Sequence, residues 1–210
     1  MVKWMEWVAR AAGLNLLWIL FVLCGFGFFG VFPATVALLM VTRDIRIGHN
    51  KGICTSFLAY YVENFVKANV YGYVMFVVNV ALILLAMQSM SQFSLWLTVP
   101  ILVVTILIFN LSLYLLPVFT YFKATFFNHL KLAAIISLSH PMVSFVLFSL
   151  VALLFGLIFY SQVLILFPVL FFFFMISVSG YFAMVILLPI FHKFKHAEEN
   201  LASSSQVSKV

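Results

Sequence analysis

The side chains that could carry chemistry are few in this 210-residue chain, and none of them stands in a catalytic arrangement. His192 and His196 have the four-residue spacing of two metal ligands on one helix face, but no third ligand accompanies them. A solvated helix face is the simpler interpretation. No Ser-His-Asp set, pair of carboxylates or glycine-rich phosphate loop is visible in the sequence. The sequence therefore predicts no enzyme, no metal site and no cofactor site.

The densest charged segment runs from Arg43 to Lys51 and contains the basic residues Arg43, Arg46 and Lys51. One interpretation is an anchor that holds this loop against anionic lipid headgroups. The other is a docking surface for a cytoplasmic or membrane partner. Both remain open from the sequence, and on the second interpretation these three residues are the candidate docking residues.

The polar residues within the apolar stretches are uncharged. Asn, Ser and Thr side chains in lipid usually hydrogen-bond to a neighbouring helix, and we predict that role here. Asn15 and Thr35 are the candidate interhelical pair, because a turn between them would place them on adjacent helices. No Asp, Glu, Lys or Arg lies deep in an apolar stretch, which disfavours ion-coupled or proton-driven transport. The embedded polar residues are Asn15, Thr35, Asn69, Asn79, Asn110, Ser112 and Ser177.

The amino-acid composition indicates that lipid surrounds most of this chain. It is 66% hydrophobic and only 8% charged, whereas about a quarter of the residues in an average soluble domain are charged. The net charge of +6 does not indicate nucleic-acid binding, because the basic residues flank apolar stretches, as in the cytoplasmic loops of membrane proteins. We therefore predict an all-α, polytopic transmembrane helical bundle in the cell membrane.

Six apolar segments are predicted, and the first two form a helical hairpin. Three glycines between Gly25 and Gly30 weaken a helix, and Pro33 is suited to the first turn of a new one. The polar patches at Gln88–Gln92 and Tyr160–Gln162 mark two further turns. The predicted segments are Ala11–Phe26, Pro33 to about Ile47, Ala68–Met87, Leu95–Phe122, Pro141–Phe159 and Val163–Phe191.

Charge placement favours six segments over five. With the N-terminal hairpin, all 11 Lys and Arg residues fall on one side, so both termini are predicted to be cytoplasmic. The alternative is a single first span, which gives five segments and places Lys3 and Arg10 on the opposite side.

An internal repeat is predicted from one recurring segment. Leu115–Lys123 recurs as Leu187–Lys195, 72 residues later, and each copy ends a pair of apolar segments. Each pair follows an amphipathic stretch, Thr55–Val66 for the first and Ala124–Ser139 for the second. The predicted unit is an interfacial helix plus a hairpin, repeated in parallel. Residues 1–196 then form one transmembrane domain, made of the hairpin 1–50, repeat one 51–123 and repeat two 124–196. Residues 197–210 are predicted to be a polar, disordered cytoplasmic tail.

Three segments resemble the YesL family of small bacterial membrane proteins. They are Leu14-Asn15-Leu16-Leu17-Trp18, Phe32-Pro33-Ala34-Thr35 and Glu63-Asn64-Phe65-Val66-Lys67. The resemblance covers the chain up to about His196. It implies a multi-pass membrane protein of unknown function from a family whose members are often found beside carbohydrate-uptake and polysaccharide-degradation systems of the ABC-importer kind. It supplies no catalytic residues.

Two functions remain open at this point. The first is a non-enzymatic accessory protein that docks on the subunits of a carbohydrate ABC importer, or on a second copy of itself. The alternative is a transporter or facilitator for a small solute, without ion coupling. The lipid bilayer is the predicted environment for both.

Overall fold

A computed structural model of the chain is an all-α bundle, which confirms the predicted fold class. It describes the backbone of residues 2–48, 52–92, 95–160 and 168–207, and the side chains of 9–48, 52–90, 96–153 and 176–195. The predicted turn at Tyr160–Gln162 falls partly outside these ranges. The elements are α1 (Val2–Cys24), a short 3-10 turn (Phe28–Gly30), α2 (Val31–Ile47), α3 (Ile53–Gln92), α4 (Leu95–Tyr121), α5 (Phe126–Ser139), α6 (Pro141–Tyr160) and α7 (Pro168–Val207).

The N-terminal hairpin has the predicted turn. Helix α1 ends at Cys24, and Phe26 (φ 55°) and Gly27 (φ 72°) have positive φ angles, which residues with a side chain rarely adopt. The N–H of Gly27 donates to the carbonyl of Val22 over 2.8 Å, which closes the end of α1. Pro33 lies in the first turn of α2, where its missing N–H costs no helical hydrogen bond. The glycine and proline pattern therefore determines where the chain reverses.

Two glycines allow the two sides of this turn to touch. A Cβ on Gly25 would lie 2.4 Å from the Cα of Gly30, and a Cβ on Gly30 would lie 2.5 Å from the carbonyl oxygen of Val22. Both distances are far below van der Waals contact, and the clashing atoms belong to the backbone. The hairpin therefore requires glycine at both positions.

The first predicted interfacial helix is not a separate element. Thr55–Val66 and the predicted segment Ala68–Met87 form one continuous helix, α3, of 40 residues. The stretch between them contains Lys67 but no proline or glycine, and one exposed lysine on a helix surface does not interrupt its hydrogen bonds. The charge that separated the two segments in the sequence therefore has no effect on the backbone.

The second predicted interfacial helix is separate. Helices α5 and α6 meet at His140 and form an angle of 101°. Pro141 restricts His140 to a non-helical conformation (φ −129°, ψ 67°), and α6 begins at the proline itself. The 72-residue offset of the repeat places Asn69, which lies inside α3, at the position of Pro141. The two predicted units therefore differ in the shape of their first helix, while Pro117 in α4 and Pro189 in α7 each lie within a helix.

The two hairpins reach different heights along α3. The hydroxyl of Tyr73 donates to the carbonyl of Phe28, at the tip of the α1–α2 hairpin. Helix α3 then continues to Gln92, 19 residues further, before the chain turns into α4. At 1.5 Å per residue the tip of the α3–α4 hairpin is about 28 Å beyond the tip of the α1–α2 hairpin.

The buried core lies around the level of Tyr73 and towards the end of α3 against which the α1–α2 hairpin packs. Side chains of α2, α3, α4 and α7 pack together there, among them the fully buried Val36, Tyr114 and Phe191. Beyond Tyr73, the outer part of the α3–α4 hairpin exposes a band of large apolar side chains, including Leu84 and Trp96. An exposed apolar band of this size is typical of a surface that contacts the membrane or another protein.

The described residues contain four helices that are long and apolar enough to cross a membrane, or five if the bent pair α5–α6 counts as one span. The apolar part of α1, Ala9–Cys24, is shorter. The chain is thus a multi-pass membrane protein by length and composition, and the first predicted segment, Ala11–Phe26, corresponds to the short helix α1.

The C-terminal residues predicted to be disordered are helical as far as Val207. Glu198, Glu199, Leu201 and Ala202 are good helix formers, and they extend an existing helix without a new nucleation step.

Candidate functional site

Arg43, predicted as a docking residue, is engaged within the bundle. Its guanidinium donates to Oδ1 of Asp44 over 3.1 and 3.3 Å, and also to the backbone carbonyl of Thr120 in α4. Tyr60 of α3 donates its hydroxyl to the other carboxylate oxygen of Asp44. The side chains of Arg43 and Asp44 are only 22% and 15% exposed. Arg43 therefore joins α2, α3 and α4 and offers little free surface.

The position of Arg43 follows from the end of α4. The last carbonyls of a helix have no partner within it, and they carry the negative end of the helix dipole. The carbonyl of Val118 accepts from the N–H of Phe122, and that of Thr120 accepts from Arg43. A cation at this position satisfies a hydrogen-bond acceptor and the dipole together.

Arg46 is the exposed cation of the predicted docking set. It lies in the last turn of α2, with its guanidinium 3.4 Å from the Tyr181 hydroxyl and 5.8 Å from the centre of that ring. Its neighbour Ile47 is 47% exposed, and Gly48 (φ 86°) ends the helix in a left-handed conformation. Lys51 lies outside the described residues. The charged end of α2 thus divides into an internal residue, Arg43, and a surface residue, Arg46.

Asn15 and Thr35 are buried or half-buried on adjacent helices, but they do not bond to each other. Asn15 is fully buried and accepts the backbone N–H of Ser177 over 3.1 Å, which links α1 to α7. Thr35 accepts the indole N–H of Trp18 over 3.1 Å and donates to the carbonyl of Val31 over 2.7 Å. Each residue joins two helices, as their proposed role requires, through a different partner.

Other embedded polar residues also bond across helices. Asn79 of α3 donates to Ser112 of α4 over 2.7 Å, and Asn110 of α4 donates to Ser144 of α6 over 3.2 Å. Tyr114 lies 2.9 Å from the same Ser144 hydroxyl. These contacts explain why polar residues occur within apolar helices. Ser144 was not singled out from the sequence, because one serine in an apolar helix gives no signal of its partner.

His129 is a further buried polar residue that the sequence did not distinguish. It is 1% exposed, and its Nε2 lies 2.8 Å from the carbonyl of Phe122, so Nε2 carries the proton and donates. Its Nδ1 then accepts from the Tyr71 hydroxyl over 3.2 Å. The rings of Tyr71 and Phe119 pack edge-on against the imidazole. His129 thereby fixes α5 against α3 and the end of α4.

The described residues contain no group of three or more His, Cys, Asp or Glu side chains that could hold a metal ion. The side chain of His196 is not among them. A cavity of about 500 Å³ is lined by aromatic and aliphatic residues with Cys24 and Tyr61. A second, of about 190 Å³, includes Asn79 and Ser112 among apolar walls. The interior of the described bundle is therefore mostly apolar, and several of its polar groups bond between helices, whereas the buried Oδ1 atoms of Asn69 and Asn79 have no hydrogen-bond partner.

Comparison with known proteins finds relatives of unknown function. Residues 11–85 match the family described as "Protein of unknown function, DUF624". The chain is similar to the uncharacterized protein YteU of Bacillus subtilis (strain 168), with 30% identity over 163 residues, 76% of this chain and 73% of YteU. It is also similar to the uncharacterized protein YesL of the same organism, with 34% identity over 141 residues, 66% of each chain. No solved structure matches.

Proposed function

The chain belongs to the YesL-like family of proteins of unknown function, and from this premise we propose that it is a non-enzymatic accessory subunit that docks on a carbohydrate importer of the ABC kind. The family resemblance supports the importer, because family members often occur beside such uptake systems. The surface at the end of α2 supports docking. The proposal places function on the outside of the bundle and in the cell membrane, with both termini cytoplasmic.

The observation that carries the proposal is the exposed pair Arg46 and Ile47. A cation beside an exposed aliphatic residue resembles the centre of a protein interface, where Arg is enriched. This pair is held in a fixed position, since the adjacent Arg43 and Asp44 are bonded to α3 and α4. A rigid presentation lowers the entropy cost of binding.

The embedded polar residues support the same assignment. Asn15, Thr35, Asn79 and Asn110 all form hydrogen bonds between helices. Contacts of this kind stabilise a bundle by about 1 kcal/mol or less each. Their use in packing favours a structural interior and a functional surface.

The test is copurification of the tagged, full-length protein with importer subunits in mild detergent. Arg46→Glu should reduce recovery of the importer at least fivefold, because charge reversal at an interface removes an attraction and adds a repulsion. Arg46→Lys should retain most of it. Lys193→Glu is the matched control, since it reverses another exposed cation and should have little effect. Membrane orientation is measured in every variant, because basic residues also set topology.

A small-solute facilitator is the alternative, and the cavity beside Asn79 and Ser112 favours it. Asn79→Leu and Ser112→Ala would then abolish solute uptake while the protein remains folded. Loss of uptake in these variants, together with unchanged importer recovery in Arg46→Glu, would contradict docking and support the facilitator.

A further inference from the structure

Over most of its length the chain carries positive charges and no negative ones. Between Glu63 and Glu198 there is no acidic residue, and the only charged residues are lysines. All of them have exposed side chains. A surface built from this segment is therefore complementary to an anionic partner. The lysines are Lys67, Lys123, Lys131, Lys193 and Lys195.

Helix α5 runs across the bundle and not along it. Near its start, His129 is bonded to Phe122, whose ring packs on Phe191 of α7 with 5.6 Å between centroids. At its end, the ring of His140 packs on Phe194 of α7 at 6.1 Å. Phe191 and Phe194 differ by only about 4.5 Å in height along α7, whereas the 14 residues of α5 are about 21 Å long. The 101° angle with α6 agrees with this sideways course.

The outward face of α5 combines large apolar residues with one lysine. Phe127 and Leu138 are 73% and 69% exposed, and Ile135 and Lys131 are exposed between them. The opposite face, which includes His129 and Ile136, is buried against the bundle. A helix with an apolar outer face and a basic residue on it is suited to the boundary between acyl chains and headgroups.

Lysines from three elements lie around this helix at a similar height. The ring of Tyr71 in α3 contacts Phe126 of α5 and Phe119 of α4 at 4.8 and 4.9 Å. Lys67 is one helical turn before Tyr71. Lys123 follows the end of α4 by two residues, and Lys131 is on α5 itself. The three lysines therefore lie around the bundle at about the height where α5 crosses it.

We propose that α5 lies in the plane of the membrane interface and that Lys67, Lys123 and Lys131, named here the lysine belt, bind anionic phospholipid headgroups. The apolar face of α5 contacts the upper acyl chains, and the lysines attract the phosphates. Each basic residue near an anionic membrane surface contributes about fivefold to the association constant. The lysine belt is separate from the docking pair Arg46 and Ile47 and does not depend on it.

The test uses the full-length protein in vesicles of phosphatidylcholine that contain a minor fraction of spin-labelled phosphatidylglycerol or phosphatidylcholine. The fraction of immobilised label measures the preference for the anionic lipid. The wild type should prefer phosphatidylglycerol, and Lys67→Gln, Lys123→Gln and Lys131→Gln should each lower the preference about fivefold. The corresponding Lys→Arg variants should retain it. Lys209→Gln, which removes one charge 14 residues after Lys195 and outside the lysine belt, should leave the preference unchanged.

Equal loss in Lys209→Gln would show a general attraction by net charge and would overturn the lysine belt. Absence of any preference for phosphatidylglycerol in the wild type would do the same.

The position of α5 is measured separately with a nitroxide at Leu138→Cys in a background of Cys24→Ser and Cys54→Ser. The label should be more accessible to oxygen than to an aqueous nickel chelate. The reverse order would contradict the in-plane position.

Discussion

The side-chain oxygen of Asn15 in α1 accepts the backbone N–H of Ser177 in α7, across 162 residues of sequence. The other polar atom of this fully buried side chain, Nδ2, has no hydrogen-bond partner. Asn15 therefore joins the first and last helices through one half of its amide, while the other half carries a desolvation cost.

Because the bond to Ser177 and the unpartnered Nδ2 act on stability in opposite directions, we predict that Asn15→Leu changes the free energy of unfolding only slightly. The variant loses one interhelical hydrogen bond but also removes the unpartnered donor, so the free energy of unfolding should fall by no more than about 1 kcal/mol. Asn15→Ala leaves a cavity in addition and should cost about 2 kcal/mol. Unfolding in mixed micelles of mild detergent and dodecyl sulfate measures both. A loss above about 3 kcal/mol in Asn15→Leu would contradict the balance. Thr35→Val, which removes the bonds to the Trp18 indole and to the Val31 carbonyl, is the comparison variant.

Arg43 and Arg46 should separate stability from docking. Arg43→Gln removes the bond to Thr120 and leaves the buried side of Asp44 with only Tyr60, so we expect a loss of about 1–3 kcal/mol in unfolding free energy. Arg46→Gln should change it by less than about 0.5 kcal/mol, as for most surface substitutions. The same unfolding assay compares the two. Equal destabilisation would show that Arg46 is also structural and would weaken its use as a docking probe.

The hairpin should tolerate alanine at one glycine and reject it at two others. Gly25→Ala and Gly30→Ala bring a methyl group into backbone atoms 2.4–2.5 Å away, which should cost about 3 kcal/mol or more. Gly13→Ala, with no atom within 4 Å in the exposed face of α1, should stabilise the protein by about 0.5–1 kcal/mol. Expression level and thermal unfolding in detergent provide the measurement. A mild effect at Gly25 would mean that the two backbones separate easily.

The first helix is continuous in repeat one and broken in repeat two, and we expect this difference to depend on the proline at position 141, whose equivalent in repeat one is Asn69. Asn69→Pro places a proline inside α3, removes a helical hydrogen bond and should cost about 3 kcal/mol or more. Asn69→Ala is the control and should be nearly neutral. Pro141→Ala changes the first residue of α6, where proline is favourable but not essential, and should cost less than about 1 kcal/mol. Circular dichroism reports helix content, and thermal unfolding reports stability. Retained stability in Asn69→Pro would refute this account of the continuous helix.

The orientation of the chain is tested with topology reporters. Fusions after Lys3 and after Val207 should report the cytoplasm, and a fusion after Ser91 should report the outside, because every Lys and Arg then lies on the cytoplasmic side. A truncated fusion lacking only the last turn of α7 serves as a control for insertion. An outside signal after Lys3 would restore the five-segment alternative.

The turn of the first hairpin could be predicted from the sequence because its cause is local. Gly27 and Pro33 determine backbone conformations within a few residues of themselves. The continuity of α3 could not be predicted, because Lys67 marks a change in surroundings and not a change in backbone. The role of Arg43 depends on the carbonyl of Thr120, which lies 77 residues away and becomes a neighbour only when α2 packs beside α4. Local pattern thus predicts turns and segment types, whereas partners depend on packing.

The unequal heights of the two hairpins have a consequence for the surrounding bilayer. About 28 Å of α3 separates their tips, close to the roughly 30 Å thickness of a hydrocarbon core. A flat bilayer that covers the α3–α4 hairpin leaves the exposed Phe26, Phe28 and Phe29 near its opposite boundary. The apolar surfaces of the two hairpins are therefore offset along the membrane normal, which is a hydrophobic mismatch confined to one side of the protein. A bilayer that contacts both surfaces has to change its height or thickness around the protein, and we expect the protein to favour membranes that deform at low cost.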